Sequence, residues 1–148
     1  MKTVWQTAAL LALAACTAGQ NPQAGQTPAG QSRAQDAAAP SLEGGWRIAE
    51  IGGAALPADA NARLSFDAAR SAFGGSAGCN KLSGSYEAGA SGLKFAAPAS
   101  TLMACEPALM KREQALAAAL EQTAAYAFDK GSLLLKDKQG NTLLKAVK

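Results

Sequence analysis

Arg63-Leu64-Ser65-Phe66-Asp67, then Ala68-Ala69, then Arg70-Ser71-Ala72-Phe73 is the stretch from which the fold can be read. Leu64 and Phe66 alternate with polar residues, the two-residue period of a strand with one buried face. The connection is short, so Arg70–Phe73 pairs back antiparallel, because a parallel return needs a long crossover. Leu64 and Phe66 then point into a core.

The pattern extends on both sides. Upstream, Gly45-Trp46-Arg47-Ile48-Ala49-Glu50-Ile51 reads as a first strand whose alternation slips near Ala49, and Gly52-Gly53 turns the chain. Downstream, Gly74-Gly75 and Gly78 interrupt. Leu82-Ser83-Gly84-Ser85-Tyr86 forms another strand, and Leu93-Lys94-Phe95 follows a glycine-rich turn at 88–92. A helix then begins at Pro107, a residue that the first helical turn tolerates. Leu109, Leu116, Leu120 and Thr123 share one helix face; Lys111, Arg112, Gln114, Glu121 and Gln122 take the other. Tyr126 and Phe128 alternate, Asp129–Ser132 turns, Leu133–Leu135 is a buried strand, Asp137–Asn141 turns, and Leu143–Val147 is the last strand. Strands, one helix, then strands predict an α+β fold. Its mainly antiparallel sheet is expected to curl into a partly open barrel with one packed amphipathic helix.

Composition narrows the chemistry. The 148 residues suit one domain with a tail. There is no histidine, which removes Ser-His-Asp triads, Cys-His pairs and imidazole-containing zinc sites. With 14 Lys+Arg against 11 Asp+Glu and no long basic run, nucleic acid is not an expected partner.

The N-terminus reads as an address. Lys2 and the apolar run Ala8–Ala15 have the form of a secretory signal, too short to span a bilayer. Leu13-Ala14-Ala15-Cys16 resembles a bacterial lipobox, in which Cys16 carries lipid and becomes the mature N-terminus. Multiple acyl chains give stable anchoring where a single chain does not. Thr17 in place of aspartate implies, by the same resemblance, the outer membrane, with the domain facing the periplasm. The expected organisation is a signal peptide over 1–15, the lipidated cysteine with an Ala/Gln/Gly/Pro tether over 16–41, and a folded domain over 42–148. Such a low-complexity tether cannot offset the entropy of ordering. It has an r.m.s. span of about 25–30 Å.

Cys79 and Cys105 remain once Cys16 is set aside. In an exported chain two leftover thiols usually join, and closing this loop contributes about 3.5 kcal/mol less any strain. Buried free thiols are the next alternative. A catalytic thiol lacks a histidine partner, and two cysteines alone make a poor metal site.

Gly78-Cys79-Asn80, then Gly84 and Tyr86, then Thr101-Leu102-Met103-Ala104-Cys105 together resemble the META domain of HslJ-like bacterial envelope proteins. Gly45-Trp46, Leu64-Ser65-Phe66 and Glu113-Gln114 fit the flanks. The resemblance implies a small antiparallel β fold with a packed helix, export, frequent lipidation, and a link to heat-shock and envelope stress. It implies no catalytic activity, no cofactor and no metal. The motif residues read first as structural, with Tyr86 and Met103 packed near the cysteines. As an alternative, Asn80, Tyr86, Thr101 and Met103 form a recognition groove.

Three functions compete. An enzyme needs an acid-base pair, and the nearest acids, Asp67, Glu87 and Glu106, are not spaced as one. A binding module holds an acyl chain or apolar peptide in the partly open barrel, in the manner of a secretion pilot lipoprotein, with Leu102, Met103, Leu109 and Met110 as lining, although core packing is the default for all four. A non-enzymatic envelope factor acts through a protein partner, held at the membrane by the lipid on Cys16. The last is the reading the sequence favours.

Overall fold

The pairing read at Arg63–Phe73 is present in the computed structural model, which describes residues 41–148. The expected signal segment, the lipidated Cys16 and nearly all of the tether lie outside the described residues. In chain order the elements are β1 (Gly44–Ile51), β2 (Ala54–Ala55), β3 (Arg63–Asp67), β4 (Ala72–Ser76), β5 (Lys81–Ala88), β6 (Leu93–Phe95), β7 (Ala99–Ser100), α1 (Pro107–Gln122), β8 (Ala125–Asp129), β9 (Ser132–Lys136) and β10 (Thr142–Val147).

All strand pairs are antiparallel, in the order β6-β5-β4-β3-β1-β10-β9-β8, with β2 beside β1 and β7 beside β5. The two ends of this path approach each other. Gly92 bridges Ala125, Leu93 N donates to Ala124 O at 3.2 Å, and Tyr126 N donates to Ser91 O at 2.9 Å. The sheet is thus nearly closed into a barrel, the α+β architecture that the order of elements predicts.

The slip in β1 has a physical cause. Ile48 pairs with Ala146 and Glu50 with Lys145, so Ala49 is an extra residue, a β-bulge. The bulge resets the phase and lets Trp46, Ile48 and Ile51 all face inward. One detail of the sequence reading shifts. Ser71 belongs to the turn, in the left-handed region at φ 49°, and the returning strand starts at Ala72. The short strands β2 and β7 have too few residues to show a period, and the sequence reading passes over them.

Helix α1 packs on β1, β6, β9 and β10 and fills the barrel from one side. Leu116 and Leu120 are fully buried with Ile48, Leu64, Leu133, Leu135 and Leu144. Each such leucine contributes about 1.5–3 kcal/mol by leaving water. Thr123, just past the helix, is also buried, and its hydroxyl donates to Ala119 O at 2.7 Å. Leu109 is only half-buried. Between Leu109 and Leu116 the inward face carries a charged residue, Glu113.

Candidate functional site

The turn after β4 and the segment before α1 meet at one end of the sheet. Gly78 has φ +116°, a conformation that L side chains rarely adopt, and an added Cβ there would lie 3.2 Å from Ala60 O. This places Cys79 against Cys105. The two are joined by a disulfide, with Cα atoms 6.4 Å apart, within the usual range.

Asn80, 3% exposed, is the hub of the site. Its Nδ2 donates to Glu113 Oε2 at 2.7 Å and to Met103 O at 3.2 Å. Its Oδ1 accepts from the Thr101 hydroxyl at 2.8 Å and from Met103 N at 2.7 Å. A side-chain amide has two donors and two acceptor positions, and all four are used. The backbone N–H of Asn80 donates to the other carboxylate oxygen of Glu113. Thr101 carries the network onward, since its hydroxyl also accepts from Lys81 N at 3.1 Å. Among the described residues, no buried side-chain nitrogen or oxygen lacks a partner.

The consequence is a segment, Thr101–Cys105, without regular structure but pinned at both ends. Between the pins, Leu102 is 98% exposed and Met103 59% exposed. Beside them runs an open groove of about 460 Å³, lined in part by Leu82, Pro98, Met103, Met110 and Ala117.

The structure therefore gathers three of the four residues expected at a groove: Asn80, Thr101 and Met103. Tyr86 is elsewhere. Its ring stands edge-on to Phe66 at 5.2 Å and lies 6.5 Å from Phe95, in an aromatic cluster that also holds Phe73. Burial, with the Glu43 and Asp67 carboxylates adding to it, pushes its hydroxyl above the ordinary tyrosine value. Gly84 serves the same cluster. An added Cβ would sit 2.8 Å from Phe73 Cε1, so the bare backbone makes room for the ring. Core packing, the default for Leu102, Met103, Leu109 and Met110, does not hold for the exposed Leu102 and Met103, and these two line the groove with Met110. Leu109 does not, and lies instead against Gly78.

Glu113 is the residue that sequence reasoning passed over as a site residue. A signal for it exists. Positions 109, 113, 116 and 120 share one helix face, and a carboxylate in an apolar stripe requires donors. With both oxygens accepting hydrogen bonds from Asn80, its visible role is to lock the helix to the turn.

A model of the META domain family matches residues 40–148. No curated protein matches the chain. Among solved structures, an NMR structure of a protein from Burkholderia xenovorans is similar with a TM-score of 0.58 at 22% identity, covering 80% of this chain and 97% of that one. A second NMR structure of a protein has a TM-score of 0.57 at 22% identity, covering 72% and 89%. The crystal structure of a duf4847 family protein from Bacteroides vulgatus has a TM-score of 0.55 at 16% identity, covering 72% and 92%. At these identities the likeness concerns the fold.

Proposed function

The chain belongs to the META domain family, and from that premise we propose that it is a non-enzymatic envelope lipoprotein serving heat-shock or envelope stress tolerance through protein interaction. Its lipid on Cys16 holds it at the outer membrane, and the domain faces the periplasm. The observation that carries this reading is Leu102, 98% exposed beside the largely exposed Met103, on a segment fixed by the disulfide and by Asn80. A lone exposed leucine says little, but Leu102 and Met103 stand together beside the apolar groove walls Pro98 and Met110, and an apolar patch of that kind is informative. A partner meeting a segment already ordered loses less entropy on binding.

The second reading, an acyl chain or apolar peptide as ligand, draws on the groove between this segment and α1. Leu64, Leu116, Leu120, Leu133, Leu135 and Leu144 occupy the barrel interior. Such a ligand would therefore lie along the surface groove.

The test is complementation. Cells lacking the protein are expected to survive heat and envelope stress poorly. Wild type should restore survival, whereas Cys16→Ser and Leu102→Asp, at equal abundance, should not. Unimpaired survival of the deletion strain under both stresses would overturn the stress role. Native mass spectrometry of the periplasmic domain separates the two readings, because a retained acyl-sized adduct favours the ligand reading.

A further inference from the structure

Three cations far apart in the chain, Arg47, Arg63 and Lys81, meet on the outer face of the sheet. Arg47 pairs directly with Arg63, Arg63 with Ser76, and Ser76 with Lys81, one row across four strands. Directly opposed residues of antiparallel strands project to the same face. Arg47, Arg63 and Lys81 are exposed while Trp46, Ile48, Leu64 and Leu82 beside them are buried, so the row points outward. Like charges directly opposite each other repel. Among the described residues the ion pair is Arg70–Asp67, which involves none of the three. Glu43 and Asp67 lie beyond the row and are engaged, Glu43 accepting from Ala68 N at 2.7 Å and Asp67 holding Arg70 at 2.8 Å.

The neighbouring row, Gly45–Ser65–Gly74–Ser83, carries no side chain longer than serine's, so the surface sinks beside the cations. One depression of about 640 Å³ runs between Arg63 and Lys81, with Ser65, Ser76 and Ser83 on its walls. Another, of about 480 Å³, adjoins Arg47 and Arg63. The Lys81 end is fixed. Lys81 N donates to the Thr101 hydroxyl at 3.1 Å, and Thr101 N donates to Lys81 O at 3.1 Å.

We infer that this row is a binding site for a phosphoryl group. The Arg63 guanidinium and the Lys81 ammonium flank one depression and supply more charged donors than one carboxylate can accept, whereas a tetrahedral dianion has oxygens for both, and Arg47 adds positive charge from the adjoining depression. The Ser76 and Ser83 hydroxyls add neutral donors, whereas that of Ser65 donates to Gly74 O at 3.3 Å. The phosphoryl group comes either from a lipid headgroup or from a soluble phosphate.

The full chain is titrated with inorganic phosphate and, separately, with short-chain phosphatidic acid below its micelle concentration. Backbone and arginine Nε signals are followed by NMR. Saturable shifts are expected at Arg47, Arg63, Ser76 and Lys81, weakening as salt is added. Arg63→Gln should weaken binding about tenfold. Lys94→Gln, an exposed lysine of β6, should not. Arg63→Gln relieves the opposed pair, so its thermal melt is expected at or above that of wild type, and the variant stays folded. Equal binding of both probes supports a site for the phosphoryl group whatever carries it, and binding of phosphatidic acid alone supports the headgroup as its source. Absence of saturable shifts with either probe, or unchanged affinity in Arg63→Gln, overturns the site.

Discussion

Glu113 on the helix and Asn80 in the turn after β4 hold each other through two hydrogen bonds, one from the Asn80 backbone and one from its side chain. Both are buried, Glu113 at 7% exposure and Asn80 at 3%. The pair couples α1 to the segment that displays Leu102, because the remaining capacity of the Asn80 amide goes to Thr101 and Met103.

Replacing the carboxylate while keeping its size should therefore destabilise the fold. In Glu113→Gln one oxygen becomes an NH2 group that faces an N–H donor. The expected loss is about 1.5–3 kcal/mol, the range for a hydrogen bond to a charged group. Urea denaturation of the two proteins side by side checks it, and equal midpoints would show that the pair contributes nothing net.

The disulfide gives a prediction with a built-in control. Cys79→Ser should lower stability by about 3.5 kcal/mol relative to oxidised wild type. Reduced wild type should match the variant. Denaturant melts with and without reductant make the comparison, and equal stability of oxidised and reduced wild type would remove the cross-link from the account.

At Gly84 the constraint is steric. A methyl group placed 2.8 Å from Phe73 Cε1 must displace a ring that packs edge-on against Phe95 at 4.8 Å. Gly84→Ala is expected to cost about 1–3 kcal/mol, as overpacking does. A companion Phe73→Leu substitution should recover part of the loss in a double-mutant cycle.

Tyr86 gives the fold an alkaline limit. Its pKa is raised in the folded state by burial, then by Glu43 and Asp67. The neutral hydroxyl is thus favoured by the fold, and the unfolded chain ionises first. The linked stability is fully present below the ordinary tyrosine pKa of about 10 and is lost as pH rises through the elevated value. Tyr86→Phe should flatten this alkaline decline in a pH series of thermal melts. A decline of unchanged slope would assign it to other groups.

Several features are legible in the sequence because they are local. The alternation at Leu64 and Phe66 fixes which side chains face inward, and both are buried. The phase slip at Ala49 is the bulge itself, seen as a break in the period. The helix stripe through Leu116 and Leu120 is equally local, since neighbours on a helix face are three or four residues apart. Glu113 was half legible, because its place in the stripe is visible while its donor is not. Tyr86 shows where the reading failed. Its closeness in sequence to Cys79 and Asn80 suggested one cluster, but six residues along a strand carry a side chain about 20 Å away.

The sequence by itself determined the class of fold, the inward face of β3 and of the helix, and the residues that mark the family. These follow from periodicity, which reports how each side chain stands on its own backbone. Only the tertiary structure decided that β1 lies between β3 and β10, that Glu113 finds Asn80, and that Arg47, Arg63 and Lys81 form one row. Those outcomes depend on which strands become neighbours. That choice depends on packing summed over the whole curled sheet, between residues far apart in the chain, and no local window of residues contains it.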